Sequence, residues 1–158
     1  MPRSMKNQVR LILDTMVMKA IALAGSGNPN KIAMSAYLKI TRRAHVVIIS
    51  RRLIKQYETK MEEDNIPAEY FLNFLQNTLE ANGQLKQVSD DQADKMQVHV
   101  KLPSEDVFLA QIAMAADPNQ FNVYIISNER GIYRVDAQLN KKHRIRALTT
   151  YTYSNEYC

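Results

Sequence analysis

The order of apolar runs along the chain predicts a three-layer α/β/α sandwich built on a mainly parallel sheet. Three observations carry that expectation. The runs Val9–Leu13, Val46–Ile49 and Val123–Ile126 are short and almost wholly apolar, as strands covered on both faces are. Segments with apolar residues at spacings of three and four lie between them, and strand–helix alternation gives this layering. The 158 residues, 46% hydrophobic and 23% charged, suffice for one globular domain with a substantial core. We therefore expect a single domain over residues 1–158, with its core at about 9–153 and flexible termini.

Taken in order, Val9–Leu13 stops at Asp14, and Val17, Ala20, Ile21 and Ala24 then mark a helix that breaks at Gly25-Ser26-Gly27-Asn28-Pro29. Ile32, Ala33, Ala36, Tyr37 and Ile40 mark a second, ending in Thr41-Arg42-Arg43. The β-branched run Val46–Ile49 follows, and Ser50 suits the N-cap of a helix whose apolar face is Leu53, Ile54, Tyr57 and Met61. Pro67 opens another, with Phe71, Phe74, Leu75, Thr78 and Leu79 inward, as core or as a dimer face, and Asn82-Gly83 closing it.

The polar stretch Gln84–Asp94 reads as a loop, and the alternation over Met96–Leu102 reads as a half-exposed strand. A helix starts at Pro103-Ser104 and ends at Asp117-Pro118-Asn119, with Phe108, Leu109, Ile112 and Ala113 as its buried stripe. Beyond Gly131, Tyr133-Arg134-Val135 and Ile145–Tyr153 are read as strands joined by a turn at Asn140-Lys141-Lys142. The run Thr149-Thr150-Tyr151-Thr152-Tyr153 has β propensity.

Composition narrows the chemistry. Twenty-one basic against 16 acidic residues give a net charge of +5, which permits a polyanionic partner. The one cysteine, Cys158, has no partner for a disulfide, which suits a cytoplasmic protein. No apolar stretch reaches the roughly 20 residues of a membrane span. His45, His99 and His143 lack metal-ligand spacing, and Gly25-Ser26-Gly27 lacks the glycines and lysine of a phosphate loop.

Ligands of open parallel sheets bind beyond the carboxyl ends of the strands. Asp14 follows the first run, Ser127-Asn128-Glu129 follows the third, and Glu105-Asp106 lie in the first turn of a helix. Crowded carboxylates repel unless a hard cation such as Mg²⁺ or Mn²⁺ neutralises them, and such an ion can activate water against a phosphodiester. Each acid alone is equally what a helix cap or first-turn carboxylate looks like. Spacing leaves both readings open.

Three stretches resemble the PIN-domain family of metal-dependent ribonucleases, which includes VapC-type toxins. Leu11-Ile12-Leu13-Asp14-Thr15-Met16-Val17-Met18 is similar to the opening strand and DTNVL motif. Val46-Val47-Ile48-Ile49-Ser50-Arg51-Arg52-Leu53-Ile54-Lys55-Gln56-Tyr57-Glu58 resembles the second strand, serine and helix. Pro103-Ser104-Glu105-Asp106-Val107-Phe108-Leu109-Ala110, followed by Val123-Tyr124-Ile125-Ile126-Ser127-Asn128-Glu129-Arg130, resembles the closing acidic helix and strand. Together they span about Leu11 to Ile132.

The resemblance implies a PIN-like fold and metal-dependent hydrolysis of RNA, with a toxin's role, an antitoxin-like partner and a homodimer among its associations. It implies that Asp14, Asp106 and Glu129, with Glu105 beside them, hold the metal, and that Ser127, the small hydroxyl residue before the last acid, contacts substrate by holding a ligand or water or else makes a structural hydrogen bond. Glu129 replaces the family's aspartate. Gln56 stands where the family has its second acid and is read as an outer ligand or water-orienting group, while Met16 replaces an asparagine. Glu58, two residues further along a helix, points about 200° away from Gln56 and is not a substitute.

Arg51, Arg52 and Arg130 are candidate phosphate contacts, Arg42 and Arg43 weaker ones at the other end of the strand, and Lys141-Lys142-His143-Arg144 with Arg146 a charged hairpin turn. Gln56 and Met16 motivate a competing class, a PIN-like module that has lost catalysis and binds RNA or a protein. A metal-dependent enzyme acting on another phosphate substrate is the third expectation.

Overall fold

A computed structural model describes residues 8–27 and 30–156. Five strands, β1 (Val9–Leu13), β2 (Val46–Ile49), β3 (Leu85–Gln87), β4 (Asn122–Ile126) and β5 (Ile145–Leu148), form one sheet in the order β3-β2-β1-β4-β5. Every pairing is parallel. The expected three-layer α/β/α architecture with a mainly parallel sheet is the one observed. Residues 10–13 of β1 and all of β2 are buried, as strands covered on both faces must be.

Helices α1 (Thr15–Gly25), α2 (Lys31–Arg43), α3 (Arg51–Glu63) and α4 (Ala68–Leu72) belong to the half of the chain that builds β1, β2 and β3. There α1 packs against α2, α3 and α4. The last of these runs on through a π-helical stretch, Asn73–Leu79, and a single 3₁₀ turn, Glu80–Asn82. Gly83, at φ +69°, closes it in the left-handed conformation that glycine adopts at little cost. Phe71, Phe74, Leu75 and Leu79 sit in the chain's own core.

The second half contributes α5 (Asp90–Asp94), α6 (Val107–Ala115) after a 3₁₀ turn at Ser104–Asp106, α7 (Arg130–Tyr133) and α8 (Asp136–His143). Here α6 lies on β1 and β4, and α8 on β5. Finally α9 (Thr150–Glu156) returns to pack on α2.

Side-chain caps explain where several helices begin. Ser50 Oγ accepts from Leu53 N–H at 3.1 Å, and Asn30 Oδ1 from Ala33 N–H at 2.9 Å. At the amino edge of the sheet, Arg10 is buried beneath the Phe121 ring, 3.4 Å from its centroid, and donates to the Ala116 carbonyl at 2.9 Å. Burial lowers its guanidinium pKa, and the Asp117 charge partly offsets that.

The structure corrects several expectations. Gln84–Asp94 is no loop, since it holds β3 and α5; β3 is a three-residue edge strand with two exposed residues, so it lacks an apolar signature. Met96–Leu102 keeps its alternating burial but pairs with no strand. Tyr133 ends α7, and Arg134 and Val135 link it to α8, so no strand forms there. Asn140-Lys141-Lys142 and His143 are not a hairpin turn but the end of α8, where cations favour the carboxyl terminus of a helix.

The strand expected over Ile145–Tyr153 stops at Leu148, and the Thr/Tyr run is helical. Two bonds favour the helix there: Thr149 Oγ1 accepts from Thr152 N–H at 3.1 Å, and Asn128 Oδ1 from Thr150 N–H at 3.0 Å. Asn28, Pro29 and Cys158 lie outside the described residues, as does most of the amino terminus, whereas residues 154–156, expected to belong to a flexible end, continue α9. Among the described residues no helix is long and apolar enough to cross a membrane.

Candidate functional site

The sheet order places a topological switch between β1 and β4, because the chain builds outward from β1 on one side and from β4 on the other. Register then fixes which residues meet there. Leu13 pairs with Ile126, so Asp14 and Ser127 leave adjacent strands side by side. Asp14 N–H donates to the Ile126 carbonyl at 3.0 Å, and Ser127 N–H to the Leu148 carbonyl at 2.9 Å.

Both Asp14 oxygens are engaged. Oδ1 accepts from Thr15 N–H at 2.6 Å, capping α1, and Oδ2 accepts from the Ser127 hydroxyl at 2.7 Å. The same hydroxyl oxygen accepts the Glu129 N–H at 3.1 Å. Ser127, fully buried, therefore ties the carboxylate after β1 to the backbone of the acid after β4. From below, the buried Tyr57 donates its hydroxyl to the Leu13 carbonyl, fixing α3 against the end of β1. Burial and the Asp14 charge raise the Tyr57 pKa, so this phenol stays protonated.

Asp106 enters from the 3₁₀ turn before α6 and is 8% exposed. Its carboxyl is raised from 3.8 to about 6, first by burial and then by the charges of Asp14, Glu105 and Glu129. The candidate acids after β1, in the 3₁₀ turn and after β4 thus lie near enough for Asp106 to feel the charge of the others. Glu105 and Glu129 are exposed. Among the described residues no three His, Cys, Asp or Glu side chains are grouped so that they could hold a metal ion.

Gly131 sets how closely α7 approaches Asp106. A Cβ there would lie 2.7 Å from Pro103 Cγ and 3.9 Å from Asp106 Oδ2. A need for close approach leaves no mark in a single sequence, so this role of Gly131 is visible only in the fold.

The remaining candidates spread out. Gln56 lies on the exposed side of α3 and lines a cavity of about 430 Å³ with Thr15, Lys55 and Thr59, so it borders the residue next to Asp14. Met16 is 47% exposed at the start of α1. Arg51 lines a different cavity, beside Asp90 and Asp91. Arg130 opens α7, exposed, directly after Glu129.

Arg52 is corrected from a phosphate contact to a structural residue. Its guanidinium grips Asp94 with two bonds of 2.9 Å and lies 4.4 Å from the Phe108 ring centroid, clamping α3 to α5 and α6. Arg146 is likewise committed, with two 2.8 Å bonds to Asp136. Arg42 and Arg43 stay exposed in the last turn of α2.

The histidines are not all isolated, as their spacing suggests. The rings of His99 and His143 stack with centroids 5.7 Å apart, and His143 Nε2 accepts the His99 N–H at 3.0 Å. His45 is buried with its Nδ1 2.6 Å from the Tyr153 hydroxyl.

Compared with protein-family models, curated proteins and solved structures, the chain finds no match, so its own residues carry any functional reading.

Proposed function

We propose that this protein is a ribonuclease that uses Mg²⁺ or Mn²⁺ to hydrolyse phosphodiester bonds, with Asp14, Asp106 and Glu129 at its centre. The observation that carries the reading is the Asp14–Ser127–Glu129 linkage at the switch point between β1 and β4, with Asp106 close enough to feel both acids. Oxygen donors of like charge beyond the strand ends of a parallel sheet, one of them the buried Asp106, suit a hard divalent cation. Asp14, Asp106 and Glu129 would hold it, with Glu105 adjacent. Bound there, the ion supplies neutralising charge and activation of water.

The chain's own groups supply the rest. Ser127 holds Asp14 in one orientation and fixes the Glu129 backbone. Asp106, raised to about 6, takes up its proton just below neutrality, so a cation competes with a proton there in mild acid. Gln56 offers an uncharged oxygen to orient water, and Arg130, next to Glu129, offers a fork of donors to phosphate.

The test is cleavage of a labelled mixed-sequence RNA with Mn²⁺, with Mg²⁺ and with EDTA, by wild type and by Asp14→Asn. Metal-dependent cutting that is lost in Asp14→Asn supports the reading; no cutting with either metal overturns it.

Gln56 favours a second reading, an RNA- or protein-binding module with a weakened site, because an amide replaces a charge beside Thr15. Calorimetric titration with Mn²⁺ separates the two, since a weakened site takes up the ion poorly.

A further inference from the structure

We propose that the cavity between Lys101 and Arg134, beside Asp106, seats one nucleotide of single-stranded RNA. This rests on the ribonuclease reading for its ligand class, and on a separate set of residues for its geometry. The cavity is an open surface cleft of about 590 Å³, large enough for one nucleotide.

Its lining divides by chemistry. Leu102, Pro103 and Val135 supply apolar lining against which a base can lie, and the Gln138 amide offers both a donor and an acceptor to a base edge. Lys101 and Arg134 are exposed at its rim. Neither forms an ion pair among the described residues, whereas Lys19, Arg52, Lys60 and Arg146 are each paired with an aspartate. Two cations without carboxylate partners on one cavity are what an anionic ligand needs.

The position links the cavity to the acids. Gly131 and Pro103 line it, Pro103 accepts the Asp106 N–H at 2.8 Å, and Gly131 packs on Pro103 within reach of Asp106 Oδ2. One wall therefore separates the cavity from the buried carboxyl. A strand whose phosphate meets the acids can place a neighbouring nucleotide behind that wall, with its phosphates toward Lys101 and Arg134.

The experiment measures fluorescence anisotropy of a labelled RNA of about 12 nucleotides, long enough to cross a single-strand site, in EDTA at several salt concentrations. Wild type is compared with K101A/R134A and with K141A/K142A, which removes the same charge from the end of α8. We expect K101A/R134A to weaken binding by about tenfold or more and to flatten the log–log salt slope by about 1.4, while K141A/K142A binds as wild type does.

Equal losses in both pairs, no loss in K101A/R134A, or no RNA binding by wild type would each overturn the cavity proposal. Cleavage assays on the same proteins keep the two readings apart. Metal-dependent cutting with unchanged KM in K101A/R134A leaves the nuclease standing and removes the cavity. RNA binding that depends on Lys101 and Arg134 in a protein that cuts with neither metal does the reverse.

Discussion

Ser127, itself fully buried, donates to the partly buried Asp14 across the gap between two parallel strands, at 2.7 Å. The contact follows from register alone: once Leu13 pairs with Ile126, the next residue on each strand must face the same crevice. A hydroxyl there does what a hydrocarbon cannot, donating to a carboxylate and accepting from the Glu129 N–H at once.

Ser127→Ala is therefore expected to cost about 1–2 kcal/mol of stability, because a charge-assisted bond is lost and a backbone donor loses its partner. The same change should slow metal-dependent cleavage by roughly tenfold or more, as loss of a residue orienting a metal ligand does. Urea unfolding and cleavage rates measure the two effects. Wild-type values for both would show that Ser127 orients nothing.

What the sequence made legible follows from burial. β1, β2 and β4 lie in the middle of a covered sheet, and consecutive apolar residues mark them. β3, at the sheet edge, is Leu85-Lys86-Gln87 and has no such mark. The Thr/Tyr run of α9 misleads because propensity is local and its packing is not. Tyr153 is buried against His45 and its backbone carbonyl accepts from Lys39, both residues on or next to α2. Candidate acids were legible because each follows or opens an element. The cavity residues Lys101 and Arg134 were not, because only the docking of α7 on Pro103 brings them to one rim.

Two buried groups set opposing acid responses. Burial, with Lys39 and Arg43, lowers His45 from 6.5 to about 4, so the unfolded chain takes up that proton first. Stability from this source falls as pH drops from about 6.5 to 4. Asp106, raised from 3.8 to about 6, holds its proton more tightly when folded, so its contribution grows as pH drops through the same range.

The wild type is thus expected to show a shallow pH dependence between about pH 4 and 6, where the two slopes offset each other. Asp106→Asn removes one of them. Its urea midpoint should exceed that of wild type near pH 7, converge with it near pH 4, and decline more steeply between. Parallel curves for the two proteins would mean that Asp106 titrates as an ordinary carboxyl.

Gly131→Ala tests the wall between cavity and acid. The added methyl would meet Pro103 Cγ at 2.7 Å and Cδ at 3.1 Å, and a proline ring has little room to yield. Overpacking of this kind costs about 1–3 kcal/mol. Thermal unfolding should register that loss. A variant as stable as wild type would place α7 further from Pro103 than described.

Gln56→Glu asks whether the missing charge is all that the site lacks. The residue is exposed on α3, so the substitution should change stability by less than about 0.5 kcal/mol. Its neighbours around the cavity include Thr15, the residue after Asp14, and α3 is held to the end of β1 by the Tyr57–Leu13 bond. A carboxylate at this position would therefore add a charge on a rigid helix, on the cavity that Thr15 also lines. Each added ligand charge strengthens the hold on a divalent ion, so Mn²⁺ affinity by calorimetry should rise by roughly tenfold, and cleavage at limiting metal should rise with it. Tighter Mn²⁺ binding without faster cleavage would assign Gln56 to orienting water, a task the amide already performs. No change in either would place the ion out of reach of α3, and the weight of the site would then rest on Asp14, Asp106 and Glu129 alone.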